Sequence, residues 1–600
     1  MSRHVFIGLL AAVGIAAVAD AHAAVFTVGG DSACQFDEIQ DAIDAAATHA
    51  GPDFVNIARS ATFDDISLDI EDQDLILAGG FASCGEITAE GAYTELAGDG
   101  DHSVIRIHGH GDVVLMGLTL HDGHAPRFNY GFGGGIDISD GPHLVSLTNV
   151  IVSRNDAGRG GGISVRNTIS GNPNDVQLVL SDNVSVMNNR AGFAIDTTHN
   201  GIEGGGIYCS ESSLRIIGGG LVTIYGNDAD HDGGGIGVDE CDVTLAPHGA
   251  TDFNGVVLNH AGRDGGGIAI RGPSGGGTRI YTAAADRPVY IAANVADREG
   301  GGIKVNGWAK LEAWDLIVED NRSADEGAAV SVAGGYFETS TRFVMRSGRD
   351  GAPAGAVPCN PQLRCNRISG NVAMDENDVQ AQAAAVRVYA AGGATFDSAY
   401  AFLHGTLVEG NVGLNLMRVR QGTGTANLDL DGVVISGNAM ANELILNPDP
   451  GTLSIRASTI AGNTIGGADV IRSDDLAIDV RRSIVWQPGK RAFNVGGLEL
   501  GQIEYVLASD LAGVPPTIFN QIADPDFADA ASGDFRLQPT SPAVDVSPAG
   551  TDATDGPDWE ADGAVRVVDI DGVANEFGAQ DLGAYELQPL DVIFANGFDG

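Results

Sequence analysis

The sequence predicts an all-β fold, a parallel β-solenoid in which short strands stack coil upon coil. Three observations carry this prediction. A glycine triplet followed by an apolar residue recurs along the chain, an asparagine precedes most copies by five or six residues, and short alternating runs lie between them. Repeats of about 20 to 50 residues without a helical period are typical of solenoids. The triplets begin 27 to 44 residues apart, at Gly133, Gly160, Gly204, Gly233, Gly265 and Gly300.

The repeat unit is predicted to be a strand, an asparagine turn and a glycine-rich strand. Glycine serves this unit twice, because it reaches positive φ at a corner and lets stacked backbones approach where a side chain would collide. Degenerate copies at Gly327 and Ala383 end the series. With about 410 residues at about 30 per coil, and strands about 4.8 Å apart, we expect about 13 coils and a rod about 60 Å long.

The repeated asparagines are predicted to form a ladder inside the solenoid. Asparagine tolerates a left-handed turn, and its amide can hydrogen-bond its counterpart one coil above, where water does not reach the backbone. The copies at Gly204 and Ala383 lack such an asparagine at the expected distance. The predicted members are Asn155, Asn227, Asn259, Asn294, Asn321, Asn371, Asn411, Asn438 and Asn463.

The first 23 residues have the pattern of a secretory signal. Arg3 and His4 precede an apolar run, which ends before Ala21-His22-Ala23, a small-x-small cleavage site. The formal net charge is −47, and removal of residues 1–23 leaves it unchanged because they hold one Arg and one Asp. Such a surface repels nucleic acid and anionic lipid, so we expect neither as a partner. No second run of about 18 apolar residues exists, so we expect no membrane-spanning helix.

The six cysteines of an exported chain are expected to form disulfides rather than a metal site. Six cysteines allow 15 pairings, so the sequence alone leaves the connectivity open. We expect neighbours in the sequence to pair, which gives Cys34 with Cys84, Cys209 with Cys241, and Cys359 with Cys365.

Both ends of the solenoid are expected to be covered. Residues 24–100 would hold an N-terminal cap and the first coils, residues 101–510 the β-helix, residues 511–590 a small β-rich region, and residues 591–600 a tail. A short capping helix is predicted within residues 34–50, because acidic residues open it and apolar residues recur at a helical period. These apolar residues are Phe36, Ile39, Ala42 and Ile43.

The triplet and asparagine pattern resembles the secreted right-handed parallel β-helix proteins of the pectate-lyase-like superfamily. It is also similar to the GGA[ILV] and FxxN repeats of chlamydial polymorphic membrane proteins. Here glycine replaces the alanine of the triplet, and an aromatic residue rarely precedes the asparagine. The resemblance covers roughly residues 100–510 and implies a right-handed parallel β-helix.

The C-terminal region resembles that of bacterial surface proteins described as choice-of-anchor, type Q. Three elements stand in the same order, namely DP-x-F at 524–527, DFRL-x-x-x-SPA-x-D at 534–545 and D-x-GA-x-E at 581–586. The closing DVIFANGFDG resembles short I-F-x-x-G-F tails on exported proteobacterial proteins. This resemblance implies a sorting signal and attachment to, or release from, a bacterial surface.

Histidine and arginine form the clearest polar cluster, a candidate catalytic patch. In VIRIHGH, Ile105 and Ile107 are expected to face inward, which places Arg106 and His108 on the outer face. Such a patch would suit a metal or an anionic sugar, and scattered polar side chains on an exposed face are the alternative. Its members are Arg106, His108, His110, His121, Asp122, His124 and Arg127.

The superfamily resemblance implies a search for lyase and hydrolase chemistry. A lyase needs a base, and Lys304 is one candidate, with a solvated surface lysine as the alternative. A glycosidase needs two carboxylates about 5 to 9 Å apart. Asp64-Asp65 and Asp474-Asp475 are adjacent pairs, and Gly109-His110-Gly111 resembles the GHG of polygalacturonases, but their order and surroundings do not match that family.

Acidic residues suggest calcium at two places, and no cofactor is otherwise indicated. Stacked carboxylates repel unless a cation or arginine lies between them. Solvated charge at the rim of the rod is the alternative. The first set precedes the triplets and consists of Asp230, Asp232, Asp264, Glu299 and Glu326, with Arg159, Arg263 and Arg298 nearby. The second begins with an Asp-x-Asp-Gly sequence without EF-hand spacing, and consists of Asp569, Asp571, Glu576 and Asp581.

Four aromatic residues near one coil are candidates for stacking on a sugar, and packing under a loop is the alternative. They are Trp308, Trp314, Tyr281 and Tyr290. Insertions at 271–288 and 335–367 are long loops, where a solenoid usually carries its binding surface.

These observations together predict a secreted or surface-attached, non-catalytic scaffold for adhesion or for polysaccharide binding. The first alternative is a polysaccharide lyase or glycoside hydrolase that acts on an acidic polysaccharide. The second alternative is a structural protein of the cell envelope. The fold by itself does not decide among them.

Overall fold

The computed structural model is a parallel β-helix, and the residues that it describes include one short α-helix, near the start of the chain. It describes residues 23–588 with gaps, so that nearly all of the expected signal and the tail at 591–600 lie outside the described residues. Within the described residues, no helix is long and apolar enough to cross a membrane. The gaps are 90, 127–130, 142, 170–171, 173–174, 193–200, 219, 221, 248–253, 273–276, 335–339, 348–350, 361–362, 374–382, 391–397, 423, 450, 475–477, 549–567 and 571–572.

One face of the β-helix is a fourteen-stranded sheet in which every neighbouring pair is parallel. At a spacing of about 4.8 Å, fourteen strands extend over about 60 Å, which agrees with the predicted rod. The strands are Leu68–Glu71, Ile105–His108, Ile136–Ser139, Ile163–Arg166, Ile207–Ser210, Ile236–Asp239, Ile268–Arg271, Ile303–Asn306, Val330–Ala333, Val386–Ala390, Met417–Gln421, Ile445–Asn447, Asp469–Ser473 and Arg491–Val495.

The rest of each coil is formed mainly by a 28-stranded parallel sheet. His143–Ser153 pairs with both Val176–Leu180 and Val184–Met187, so one long strand becomes two in the next coil. The strands are Val25–Val28, Asp53–Ala58, Phe63–Ile66, Leu75–Phe81, Thr94–Gly98, Val113–His121, His143–Ser153, Val176–Leu180, Val184–Met187, Ser213–Gly218, Val222–Tyr225, Asp242–Pro247, Asn254–Val257, Thr278–Tyr281, Val289–Ala292, Lys310–Trp314, Ile317–Glu319, Ser340–Arg346, Arg367–Ser369, Ser398–His404, Leu407–Glu409, Thr425–Asp431, Val434–Ser436, Thr452–Arg456, Thr459–Ala461, Ile478–Trp486, Ile503–Ala508 and Gln521–Ile522.

A narrow ten-stranded parallel sheet closes the cross-section between the asparagine and the next triplet. Each of its strands is two residues long, so it is hardly more than a corner. The strands are Asp156–Ala157, Arg190–Ala191, Asp228–Ala229, His260–Ala261, Val295–Ala296, Arg322–Ser323, Val372–Ala373, Val412–Gly413, Ala439–Met440 and Thr464–Ile465.

The isoleucine after each triplet forms a continuous stack in the core. These residues are in register from coil to coil, as Ile236 with Ile268 and Ile268 with Ile303, and none of these three is exposed. Alternate residues of the strand face outward, as the period of two requires. Burial of one such side chain contributes about 1.5 to 3 kcal/mol, and its neighbours one coil away complete its packing.

The glycine triplet lies in the bend that leads into a strand, and not within a strand as the sequence pattern suggested. The first glycine needs positive φ, as at Gly233, where φ is 81°. The second and third allow close approach, because a Cβ on Gly234 would lie 2.3 Å from the carbonyl oxygen of His260. A Cβ on Gly235 would lie 2.6 Å from the carbonyl oxygen of Gly267. Adjacent coils therefore meet backbone to backbone at this corner.

The asparagine ladder is present, and it is one residue longer than the sequence indicated. Each side-chain oxygen accepts the backbone N–H and the side-chain N–H of the asparagine one coil earlier, at 2.9 to 3.1 Å. Asn189 fills the place before the triplet at Gly204, at a distance of 15 residues. The ladder runs from the N–H of Gly123 to the side chain of Gln487.

The N-terminal cap contains the predicted helix, which spans Ile39–Ala47. Ile39, Ala42 and Ile43 are buried against the first coils, as expected from their helical period. Phe36 precedes the helix and is only partly buried. The cap is held by the disulfide between Cys34 and Cys84.

The other two expected disulfides are also present. Cys209, in the fourteen-stranded sheet, bonds Cys241, which lies just after the next strand of that sheet, and Cys359 bonds Cys365 within the second long insertion. The described residues contain no free cysteine.

The C-terminal region packs against the side of the last coils. Its regular elements are the antiparallel strands Phe527–Asp529 and Asp534–Leu537 and the 3-10 helix Ala530–Ser532. An apolar cluster joins this region to outward-facing residues of the β-helix. On the β-helix the contacts come from Leu407, Val434, Ala461, Ile484 and Leu507.

Removal of one ladder residue should destabilise the β-helix strongly. Asn259 is 1% exposed, and its side-chain oxygen accepts two N–H groups of Asn227. Asn259→Ala leaves both donors buried without a partner, each at about 1 to 3 kcal/mol. We expect the free energy of unfolding, measured by urea denaturation, to fall by about 2 to 5 kcal/mol. The control Asn427→Ala changes an outward-facing residue and should change it little; equal losses in both variants would contradict a special role for the ladder.

Candidate functional site

The structure separates the predicted histidine and arginine patch into two groups on different faces. Arg106 and His108 project from the fourteen-stranded sheet, and Ile105 and Ile107 are buried beneath it, as the alternation predicted. His121 ends a strand of the 28-stranded sheet instead. Asp122 and His124 follow it, and Arg127 lies outside the described residues.

His108 lies between two carboxylates of the preceding coil. Its Nε2 is 3.0 Å from Asp69 Oδ1, and its Nδ1 is 3.8 Å from Glu71 Oε1. One ligand atom from each of these three residues lies within 4.8 Å of the others, so the group could accept a metal ion. Both carboxylates are more than half exposed, and ion pairing with the imidazole explains the same arrangement. Asp69 and Glu71 could not be recognised from the sequence, because the register between coils had to be known first.

His110 is paired in the same way with the following acidic residue. Its Nδ1 lies 3.1 Å from Asp72 Oδ1, and its backbone N–H donates to the same oxygen at 2.8 Å. These hydrogen bonds lower the pKa of the Asp72 carboxyl. The imidazoles of His108 and His110 are therefore both paired with carboxylates of the preceding coil.

His121 and Asp122 form a second group together with Arg154. His121 Nδ1 is 2.7 Å from Asp122 Oδ2, and Arg154 Nε donates to Asp122 Oδ1 at 3.2 Å. The Arg154 hydrogen bond is the main cause of a lowered pKa at Asp122. His124 lies apart from them, 3.8 Å from Asp156 Oδ1. Arg154 could not be assigned to this group from the sequence, because it belongs to the next coil.

His121 also lines a cleft at the N-terminal end of the β-helix. The cleft has a volume of about 300 Å³, and its wall combines aromatic, cationic and carboxylate side chains. It collects residues of consecutive coils, since Ala97 pairs with His121 and Phe63 pairs with Leu96. The lining residues are Arg59, Ala61, Thr62, Phe63, Asp64, Tyr93, Glu95, Ala97 and His121.

Two of these nine lining residues were already candidates, and the other seven were not. Asp64 belonged to a predicted carboxylate pair, and His121 to the histidine patch. Arg59, Tyr93 and Glu95 had no signal in the sequence, because each stands alone in an irregular stretch before the glycine repeat begins. The cleft brings an aromatic ring, a guanidinium and two carboxylates to one place, a combination suited to hydroxyl-rich ligands.

The acidic residues before the triplets stack as predicted, but protein cations neutralise them. Arg263 binds Asp232 with two nitrogens, and Arg298 binds Asp264 in the same way. Asp230 binds Arg190 at 2.9 Å. In these ion pairs, arginine rather than calcium balances the charge of each carboxylate.

Farther along the same column, a buried network replaces the simple pairs. Lys304 and Arg387 both bind Glu299, and Arg387 and Arg418 both bind Glu326. Burial would raise the pKa of Glu299, but Lys304 and Arg387 outweigh it and lower the pKa to about 2. Both sequence interpretations of Lys304 were wrong, because this lysine is 5% exposed and is neither a solvated residue nor a free base.

Arg159 was expected to separate stacked carboxylates, but it contacts an aromatic residue. Its Nη1 donates to Tyr208 Oη at 3.2 Å, and its guanidinium carbon lies 5.3 Å from the centre of that ring. Tyr208 itself packs with Phe132, Ile202 and Ala269 in a small apolar cluster outside the fourteen-stranded sheet. The segment before the triplet thus covers part of the outer face.

The second insertion lies over the loop that follows one of the aromatic candidates, Tyr281. Trp314 is 4% exposed and stands in register with Tyr281. The insertion is fixed above the loop that follows Tyr281, because Val357 N–H donates to Thr282 O at 2.8 Å and Asn360 N–H donates to Ala285 O at 2.7 Å. This burial favours packing over sugar stacking for Trp314. Trp308 and Tyr290 are partly buried.

The described members of the second predicted calcium group have different surroundings. Asp581 is fully buried and accepts the backbone N–H groups of Asp545 and Leu587, at 2.8 and 2.7 Å. Glu576 accepts from Gln521 Nε2 at 3.1 Å. Asp569 is exposed, and Asp571 lies outside the described residues.

Comparison with known proteins adds no family to this description. No protein-family model matches the chain, and no curated protein matches it.

One buried pair makes a pH-dependent contribution to stability. Glu203 is not exposed at all, and its Oε1 lies 2.6 Å from His231 Nδ1. Burial raises the pKa of Glu203 to about 7, against the opposing effect of His231. Because the folded pKa exceeds the unfolded one, this contribution is complete below about pH 4.5 and is lost as the pH rises through about 7.

Replacement of Glu203 should therefore make the free energy of unfolding depend less on pH between about pH 4.5 and 7.5. Between about pH 4.5 and 7.5, wild-type protein should lose stability relative to Glu203→Gln, by at most about 3 kcal/mol. Urea denaturation of both proteins at the two pH values measures the difference. Glu211→Gln, at an exposed position, is the matched control and should follow wild type. A difference between wild type and Glu203→Gln that does not vary with pH would count against this account.

Proposed function

We propose that this chain is an exported, non-catalytic β-helix scaffold that binds polysaccharide through the N-terminal cleft. The observation that carries the proposal is the composition of that cleft. Tyr93 offers apolar ring surface, and Arg59, Asp64 and Glu95 offer hydrogen-bonding groups around it. Sugars present apolar faces and hydroxyl groups together, so such a mixed wall suits them.

The charge of the chain bears on the kind of polymer. The net charge of −47 and the two carboxylates of the cleft repel a polyanion. Carboxylates accept hydrogen bonds from the hydroxyl groups of neutral sugars. A neutral or sparsely charged polysaccharide is therefore the preferred ligand. With about 300 Å³, the cleft would take a short part of such a chain.

The lack of catalysis rests on the state of the charged groups outside the cleft. Lys304, Arg387 and Arg418 are bound to buried carboxylates, and the histidine patch is divided between two faces. A lyase base must reach a substrate proton with a free lone pair, and ion pairing with carboxylates keeps these cations protonated.

Export and surface attachment are part of the same proposal. The signal-like sequence at 1–23 and the choice-of-anchor likeness of 524–586 support it. The three disulfides are a further support, because such bonds persist in oxidising compartments outside the cytosol. Display on a bacterial surface would let the rod present its cleft to a neighbouring polymer.

A glycoside hydrolase is the second candidate, favoured by one observation. Asp64 and Glu95 are both exposed and both line the cleft, so one could act as acid and the other as base or nucleophile. A structural envelope protein is the third candidate, and it would use neither the cleft nor these carboxylates.

Substitution of the cleft aromatic should weaken polysaccharide binding. We expect Tyr93→Ala to reduce retention on immobilised neutral polysaccharides about tenfold, equivalent to about 1.4 kcal/mol. Affinity electrophoresis of residues 24–600 across a panel of neutral and acidic polymers measures it. Tyr225→Ala is the control, because Tyr225 is 39% exposed on the β-helix outside the cleft. Binding that survives in Tyr93→Ala, or fails equally in Tyr225→Ala, would remove the cleft from the proposal.

The same panel separates the scaffold from the hydrolase. Incubation of folded wild-type protein should release no reducing or unsaturated sugar ends, with calcium or with chelator. Release that disappears in Asp64→Asn and in Glu95→Gln would establish the hydrolase instead. If the folded protein neither binds nor cleaves any polymer, the structural envelope role would be the remaining candidate.

A further inference from the structure

A buried carboxylate in the C-terminal region lacks the partners that every comparable group nearby has. Asp545 closes the SPAVD segment, with a positive φ of 54° and no exposed surface. Among the described residues, no group makes a hydrogen bond of good geometry to either of its carboxylate oxygens. An ionised carboxylate out of contact with water is costly unless a cation or N–H donors compensate it.

The neighbouring buried carboxylates show how such groups are normally satisfied here. Asp581 accepts two backbone N–H groups, as described above. Glu586, 6% exposed, accepts the N–H of Val568 at 2.9 Å and that of Asp581 at 3.1 Å. These two carboxylates therefore hold the C-terminal segments together with their own charges. Asp545 has no comparable role within the hydrogen-bond network.

The groups that act on the Asp545 carboxylate include no cation among the described residues. Burial is the largest influence and raises its pKa, and the negative charge of Asp569 raises it further. The Ile570 N–H has the opposite effect but does not compensate. Asp569 is thus near enough to raise the pKa of a carboxyl group that has no exposed surface.

We infer that Asp545 and Asp569 bind a single calcium ion. Both residues offer oxygen, and the pair includes no histidine or cysteine, so a hard cation fits and zinc does not. Calcium accepts variable numbers of oxygen ligands, including backbone carbonyls and water, and tolerates an irregular site better than magnesium does. Asp569 is exposed, which gives the ion a path from solvent.

The position of the site gives the ion a structural consequence. Val544 and Val546 flank Asp545, Ile570 follows Asp569, and all three belong to the apolar cluster that joins the C-terminal region to the last coils. An ion between the two carboxylates would fix the 543–547 and 568–570 segments to each other above this cluster. Calcium should therefore tighten the attachment of the C-terminal region to the β-helix, independently of any ligand in the cleft.

Calcium binding to the full chain tests the inference. After treatment with EDTA, residues 24–600 are titrated with CaCl₂ in an isothermal calorimeter at about 0.15 M NaCl, which screens weak surface sites. We expect one site above the non-specific background. Asp545→Asn and Asp569→Asn should each weaken it at least about tenfold, because even changes behind the direct ligands cost about 10- to 100-fold in metal affinity.

A matched control and a second measurement complete the test. Glu499→Gln removes one charge from an exposed position near the last coils and should bind as wild type does. Calcium should also slow proteolysis of the C-terminal region in wild type and in Glu499→Gln, but not in Asp569→Asn. Asp569→Asn decides the matter should Asp545→Asn fail to fold. Absence of the site in wild type, or equal binding in Asp569→Asn and Glu499→Gln, would overturn the inference.

Discussion

The hydrogen bonds from one asparagine side chain to the next determine what the rest of this β-helix can be. At the corner where the ladder lies, the chain turns inside the protein, where no water can satisfy its backbone. Each asparagine solves this by accepting two N–H groups from its neighbour and donating to a carbonyl of the preceding coil, as Asn259 donates to Ile224 O. Because every member depends on the next, the ladder fixes the register of coils that are 25 to 50 residues long.

Stacking in register brings like residues of successive coils together. Where these residues are carboxylates, their mutual repulsion must be reduced. A column of carboxylates one coil apart would repel at an interior dielectric, so arginine or lysine must stand between its members. Arg263 and Arg298 do so in early coils, and Arg387 binds two carboxylates at once farther along. Several basic residues of a strongly acidic chain are thus bound where stacking requires them.

Much of this fold could be predicted from the sequence, because repetition turns a local pattern into a global one. The triplets located the fourteen-stranded face, and the asparagines located the ladder except for Asn189, which an insertion displaced from its triplet. What could not be predicted is contact between coils. Lys304 looked solvated because neither Glu299 nor the later Arg387 could be aligned with it without the register. Asp545 was missed for the same reason, because the sequence of the SPAVD segment does not show that its aspartate is buried.

The candidate sites lie where the repeat is absent, and this follows from the physics of the fold. In regular coils the corner has no room for side chains, and the outward columns are filled by ion pairs that stabilise the stack. At the N-terminal end the glycine repeat has not begun, the strands are offset, and the cleft around Tyr93 and Asp64 opens between them. At the C-terminal end the chain leaves the solenoid, and Asp545 is buried by segments that obey no repeat. Function in this molecule is therefore expected at its irregular ends, and the regular coils serve to hold those ends about 60 Å apart.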